Sequence, residues 1–229
     1  MNSNKNTPRD ASYFQTSGAL LQAAKEWTSI VENFPYGLAA LIFYFILFQS
    51  ELIPRWLSGW GLVGATLMLA MGLLRMFGHP VIYLAIPIIL NELVLAVWLM
   101  VMGFNSSEIA YVIVGGLFIT ALVSVMLNGS GSFDDPDYLS AVSTNENKVL
   151  RGVLFQLILT ASVVAIPIIM FPILREHNEV LALGYIGARI FEGFFDAVIA
   201  ISLLLLLTLS REFVKAGTPT AKTDIDEIK

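Results

Sequence analysis

Three ionisable residues, Arg189, Glu192 and Asp196, stand at intervals of three and four within a long apolar stretch of the sequence. This spacing places all three on one face of a helix, where acids and a base can pair. A second polar pair, Asn91 and Glu92, interrupts another apolar stretch. Groups of these types inside a membrane can hold a proton, bind an ion or balance one another's charge. These five residues are our candidates for a polar site.

Such residues constrain the helices that carry them. A charged side chain at the bilayer centre costs about 2.5–3.5 kcal/mol on insertion scales, so it should face a partner, a cavity or water. We expect an ion pair between Arg189 and Glu92, because one contact would satisfy two membrane spans. Two alternatives stay open: Glu92 could be only a structural hydrogen bond or salt bridge between helices, and the Arg189 face could lie at the interface and reach toward water.

The composition points to lipid as the solvent. Of the 229 residues, 56% are hydrophobic and 14% are charged, whereas soluble domains carry about 25% charged residues. The net charge of -5 and the lack of a basic cluster give no reason to expect a nucleic-acid partner. The chain has no cysteine and two histidines, His79 and His177, that share no helical spacing. We therefore expect no metal site and no cofactor.

The apolar stretches predict an all-α, polytopic membrane bundle. Crossing a hydrocarbon core of about 30 Å takes roughly 20 residues of helix. The predicted bundle covers residues 13–210, between a polar N-terminal segment, 1–12, and a polar C-terminal tail, 211–229. A short amphipathic helix at residues 18–31 is expected to lie in the interface. The six predicted spans are residues 34–50, 56–77, 80–104, 109–127, 149–174 and 180–210.

Four strings carry a family resemblance: LIPRWLSGWGLVG at 52–64, LNELVLAVWL at 90–99, DYLSAV at 137–142 and HNEVLALGYIGARI at 177–190. With the spans between them, the chain resembles the six-span prokaryotic membrane proteins of domain-of-unknown-function family 4386. The resemblance implies a multi-pass protein of a bacterial or archaeal plasma membrane, with no known activity. In that family the counterpart of span 109–127 comes first and that of span 80–104 last. The chain therefore resembles a circular permutation joined near residues 105–110.

Two arguments give opposite orientations. Lysine and arginine residues collect on the side of the termini, while Arg55 and Arg175 stand alone on the other side, which predicts cytoplasmic termini. In the family-like arrangement the connectors with Arg55 and Arg175 are cytoplasmic, which places the termini of this chain outside.

Three classes of function are compatible with these features. The first choice is a non-catalytic membrane module whose buried charges hold the bundle together. The alternative is a small transporter or channel-like protein, with a polar site on the third and sixth spans. An intramembrane enzyme ranks last, because no thiol, paired histidines or serine with a base is present. The bilayer is the expected partner, and the sequence names no ligand.

Overall fold

The computed structural model describes residues 8–79, 81–102, 108–127 and 138–217, which are helical and contain no strand. Most of the predicted polar ends, and part of the predicted permutation joint, lie outside these residues. The helices are α1 (Pro8–Val31), α2 (Asn33–Ser50), α3 (Arg55–Met76), a 3₁₀ turn (Ile82–Ala85), α4 (Ile86–Met102), α5 (Glu108–Leu127), α6 (Tyr138–Thr144) and α7 (Glu146–Gly217).

Helix α7 consists of two arms, residues 146–177 and 179–217, joined at Asn178. Asn178 has the extended dihedral angles φ -160° and ψ 101°, and its Oδ1 accepts a hydrogen bond from the Leu181 N–H at 3.0 Å. This is the geometry of an N-cap, so a helix ends before Asn178 and a new one begins after it. A hydrogen bond from Gln156 to Asp196 joins the arms across 40 positions. The arms therefore lie antiparallel, and the predicted spans 149–174 and 180–210 fall one in each.

Helices α1 and α2 are separated by a single residue, Glu32. Pro35 has no N–H to donate to the Val31 carbonyl, but Glu32 keeps helical dihedral angles, φ -56° and ψ -30°, and its N–H donates to the Thr28 carbonyl at 2.9 Å. The chain therefore continues from α1 into α2 with helical geometry. The Asn33 side chain donates to the carbonyls of Ser29 at 2.9 Å and Ile30 at 3.1 Å. The predicted amphipathic helix at 18–31 forms the C-terminal part of α1, which has 24 residues and packs against α7. Its position in the membrane interface stays a prediction.

The core forms around helix α2. The ring of Phe43 stacks on that of Tyr185 in α7, with centroids 5.0 Å apart, and lies 6.3 Å from that of Phe118 in α5. Large apolar side chains also cover the outside of the bundle, among them Phe45 and Val97. An apolar core with an equally apolar exterior is what a lipid environment requires.

Four helical segments among the described residues are long and apolar enough to cross a membrane: Ser12–Ser50, Arg55–Met76, Ile82–Met102 and Glu146–Ala216. The last has 71 residues, roughly 100 Å of helix at 1.5 Å per residue, and contains the turn at Asn178. These segments indicate a membrane-embedded protein.

Helix α3 approaches its neighbours closely through glycine. A Cβ atom at Gly61 would lie 2.2 Å from Cδ1 of Tyr44, and one at Gly64 would lie 3.0 Å from Cα of Ile88. Ordinary carbon contacts are about 3.5–4.0 Å. Helix α3 therefore packs against α2 at Gly61, and against α4 at Gly64, at distances that only glycine allows without a shift of the neighbour. At Gly184 the nearest atom would be 3.6 Å away, so that glycine is not needed for space.

We predict that Gly61→Ala destabilises the bundle by about 1–3 kcal/mol, because the added methyl group overlaps the buried Tyr44 ring. Gly59→Ala is the matched control on the same helix, since its Cβ would meet only Cε2 of Phe48 at 4.0 Å. Both changes gain the same helix propensity, so their difference isolates the overlap. The measurement is the thermal midpoint in detergent, and equal midpoints for the two variants would contradict the prediction.

Candidate functional site

A cavity of about 280 Å³ lies inside the bundle, where α2, α3, the 3₁₀ turn, α4, α5 and both arms of α7 meet. Its wall is mainly apolar, with methionine, leucine, isoleucine and phenylalanine side chains, and its ionisable groups come from four different parts of the chain. These ionisable groups are Glu32, Tyr36, Arg75, Glu92, Arg189 and Glu192.

Arg189 is the buried cation of this wall. Its Nη1 donates to both carboxylate oxygens of Glu192, at 3.0 and 3.1 Å. The guanidinium carbon lies 5.3 Å from the ring centroid of Tyr36 and 5.6 Å from that of Tyr185, within the range of cation–π attraction. One acid and two aromatic rings thus hold the Arg189 charge. The acid is on the same helix, one turn further along.

Glu92 faces the same cavity from α4. Its Oε1 accepts a hydrogen bond from the Tyr36 hydroxyl at 2.9 Å. The predicted ion pair between Arg189 and Glu92 is not formed: the Arg189 guanidinium contacts Glu192 through Nη1, and its Nε has no partner among the described residues. Tyr36 stands between the two charges, with its ring toward Arg189 and its hydroxyl on Glu92. Among the described residues, no cation lies within ion-pair distance of Glu92.

Asp196 lies beyond Glu192 on the second arm of α7. Its Oδ1 accepts a hydrogen bond from Gln156 Nε2 at 2.6 Å. Its other oxygen has no N–H or O–H donor among the described residues. The hydrogen bond from Gln156 therefore makes Asp196 a link between the two arms of α7.

The three α7 candidates face protein. Their side chains are almost fully enclosed, with exposed fractions of 4% for Arg189, 2% for Glu192 and 1% for Asp196. A side chain that extends to the interface would keep its charged end exposed. Burial of all three side chains within the protein favours an internal site over an interfacial stripe.

Asn91 has a different place from the other candidates. Its Nδ2 donates to the carbonyl of Leu57 at 2.9 Å, so it links α4 to α3. It is absent from the cavity wall, although it precedes Glu92 in the chain, because adjacent helical residues point in directions about 100° apart. The structure thus assembles Glu92, Arg189 and Glu192 on the cavity wall, with Asp196 just behind it, and leaves Asn91 as a helix-to-helix contact.

Sequence reasoning missed Glu32, Tyr36, Arg75 and Gln156. Glu32 and Tyr36 have a signal that could have found them, because their spacing of four places both on one helical face at the start of an apolar span. Arg75 entered only the count of charges for orientation. Its Nη2 donates to Ser29 Oγ at 3.4 Å, and its charge acts on Glu32.

The cavity wall has more acid than base. It carries three carboxyl groups, those of Glu32, Glu92 and Glu192, against the guanidinium groups of Arg75 and Arg189, a formal excess of one negative charge. Such a wall favours a cation or a bound proton. Among the described residues no group of three histidine, aspartate or glutamate side chains has the arrangement of a metal site.

Fold and site together define a helical membrane protein with a charged internal cavity. The chain matches the family described as Domain of unknown function (DUF4386) over residues 2–103 and 111–227, and it belongs to this family. The resemblance stated from the sequence strings is thus confirmed. No curated protein and no solved structure matched the chain.

The family match is divided into two segments, and the gap at residues 104–110 falls at the predicted joint of the circular permutation. The match gives no order for the family's segments. The permutation therefore stays a prediction.

We predict that Tyr36→Phe lowers the free energy of unfolding by about 1.5–3 kcal/mol, the usual contribution of a hydrogen bond to a charged group. Tyr44→Phe is the matched control, because the Tyr44 hydroxyl is buried on the same helix and has no hydrogen-bond partner in the described part of the chain. It should leave stability unchanged or raise it. Denaturation in mixed micelles compares the two variants, and an equal loss in both would show that the hydrogen bond to Glu92 contributes nothing.

Proposed function

We propose that this protein is a six-span membrane protein of a bacterial or archaeal plasma membrane that binds a small amphipathic cation in the central cavity and carries it across the bilayer. The observation that carries the proposal is the position of Glu92, on the wall of an internal cavity, where none of the cationic side chains that the structure describes lies within ion-pair distance. A cationic ligand would supply the missing charge.

The helices and the turn within α7 support the proposal of six spans. Four crossings come from α2, α3, α5, and α4 with its 3₁₀ turn. The two arms of α7 supply two more. Helix α5 has 20 residues, which is enough for a core of about 30 Å. The family resemblance supports the same count and the prokaryotic membrane.

The ligand class follows from the wall of the cavity. Its volume of about 280 Å³ exceeds the 150 Å³ or so of an engineered cavity that binds benzene. Apolar side chains such as Phe118, Ile88 and Met71 cover most of its surface, and Glu92 supplies an acid. An apolar body with one positive charge satisfies both features, and the ring of Phe118 can also attract a quaternary ammonium group.

The rival function is a non-catalytic module whose charges only hold the bundle together. The one buried ion pair described, Arg189 with Glu192, lies within a single helix and so cannot fasten two helices to each other. Glu92 is held by a neutral hydroxyl group. A purely structural role would be better served by an ion pair between helices, which favours the binding function.

The proposal is tested by binding of aryl- and alkylammonium ions, with benzyltrimethylammonium as the first probe and neopentylbenzene as its neutral isostere. We predict that the cation binds to the protein in nanodiscs at least about tenfold more tightly than the isostere. Glu92→Gln should remove this preference, because losing one partner of a buried charge pair costs about 2–5 kcal/mol or more. Calorimetry measures both affinities.

The control is Glu179→Gln, which neutralises an exposed glutamate at the turn of α7 and should leave cation binding intact. Two results would reject the carrier and favour the structural module. One is equal affinity of the protein for the ammonium ions and their neutral isosteres, and the other is unchanged cation binding by the Glu92→Gln variant. Uptake of a bound cation into proteoliposomes then separates a carrier from a receptor.

Topology gives a separate test, which the absence of cysteine makes direct. We predict that Glu51→Cys and Glu179→Cys react with an impermeant maleimide from one side of the membrane, and His79→Cys and Asn145→Cys from the other. All four positions are exposed in the structure. Labelling of Asn145→Cys and Glu179→Cys from the same side would reject six spans, and the side that reacts in intact cells decides between the two orientations.

A further inference from the structure

The guanidinium group of Arg189 has more hydrogen-bond donors than the surrounding protein uses. A guanidinium carries five N–H donors in one plane. Among the described residues, Arg189 donates to Glu192 alone, and only through Nη1. Its Nε is buried without a partner in that part of the chain, and so is the hydroxyl of Tyr185, whose ring covers the guanidinium. Because Arg189 is 4% exposed and lines the cavity, a molecule inside the cavity is the acceptor that its spare donors can meet.

Tyr36 sets the spacing between this group and Glu92. Its ring centroid lies 5.3 Å from the Arg189 guanidinium carbon, and its hydroxyl donates to Oε1 of Glu92 at 2.9 Å. All three side chains line the same cavity, and the rest of its wall is mainly apolar. A ligand that lies along Tyr36 therefore meets a carboxyl group at one end and guanidinium donors at the other.

The charges of the wall decide which kind of acceptor fits at Arg189. Glu192 already balances the charge of Arg189, whereas the wall as a whole has a formal excess of one negative charge. A ligand with an ammonium group at Glu92 and a carboxylate at Arg189 would have no net charge and would leave that excess in place. A neutral carbonyl oxygen offers its lone pairs to the donors and adds no charge.

We propose that Arg189 is a specificity-determining residue, which selects ammonium ions that carry a neutral carbonyl oxygen at the end away from the charge. The ammonium group lies at Glu92, the apolar body lies along Tyr36, and the carbonyl accepts from the guanidinium. This inference rests on the proposed cation binding and narrows its ligand class to ammonium ketones, esters and amides. A ligand without the carbonyl leaves the donors unpaired, or displaces water whose hydrogen bonds it cannot reproduce.

The test compares two isosteric derivatives of benzyltrimethylammonium, one with an acetyl group on the ring and one with an isopropenyl group. The two ions differ only in that a methylene carbon replaces the carbonyl oxygen. We expect the protein in nanodiscs to bind the acetyl ion at least about tenfold more tightly in calorimetry, as a hydrogen bond to a charged group should give. Both the meta and the para isomers are measured, because the ring position sets the reach to Arg189. Equal affinity for the acetyl and isopropenyl ions at both positions would overturn the proposal.

The paired substitution Arg189→Met with Glu192→Met removes the donors together with their counter-charge. The net charge of the wall stays the same, and replacing a buried ion pair by apolar side chains of similar volume is often neutral for stability. In this variant the ratio of the two affinities should fall to about one. The matched control is Arg175→Met with Glu179→Met, which makes the same two changes at exposed positions of α7 and should keep the ratio. A preference that survives at Arg189→Met with Glu192→Met, or that the control also loses, would contradict the assignment to Arg189.

A second measurement needs no variant. The infrared C=O stretch of the acetyl ion, with an isotope-labelled carbonyl, should lie at lower frequency in the complex than in an aprotic solvent, because a guanidinium N–H donates to it. A bound stretch at the aprotic frequency would also overturn the proposal. A protein that binds neither ion loses the proposed cation binding and this inference with it. One that binds both ions equally keeps the cation site and loses only the selection by Arg189.

Discussion

The guanidinium group of Arg189 is the constraint on which the rest of the site depends. Arginine does not lose its proton inside a protein, so its charge must be balanced where it lies. Glu192 provides the counter-charge, and Tyr36 and Tyr185 cover the guanidinium with aromatic rings. Tyr36 makes this contact from α2, which packs against α7, and its hydroxyl reaches Glu92 on α4. One side chain of α2 therefore links the buried cation on α7 to the acid on α4.

The turn within α7 depends on the same rule for the backbone. A broken helix in lipid exposes backbone groups that cannot bond to water, so a side chain must satisfy them. Asn178 provides an acceptor to the first turn of the second α7 arm. The turn folds α7 back so that Gln156 on the first arm reaches the Asp196 carboxyl group on the second. The two arms are thereby joined by a side-chain hydrogen bond as well as by the turn.

The sequence predicted the helical class, the apolar segments and the buried α7 face, because length, hydropathy and spacing are local properties of the chain. The partners within the site are not local. Periodicity showed that Arg189 and Glu92 both needed partners, but it could not show that Glu192 lies closer to Arg189 than any group on α4 does. Glu32 was missed because it directly follows the helix expected at the membrane interface, where an acid needs no explanation. Tyr36 was missed because a tyrosine near the end of a span is common at membrane interfaces.

The packing of the chain ends bears on the predicted permutation. In the family-like order, one continuous connector would join the counterparts of span 180–210 and span 34–50. In this chain the two halves of that connector are the segments before span 34–50 and after span 180–210, so these two segments must be able to meet. In this structure the ring of Phe14 on α1 lies 5.9 Å from that of Phe213 on α7, and Tyr138 of α6 packs in the same cluster with Leu206. Chain ends this close can be joined or cut without moving a span. Because the cavity wall is assembled from α2, α3, α4, α5 and both arms of α7, its geometry depends on which helices pack together and not on their order in the chain. The same cavity would therefore form in either connection of the spans.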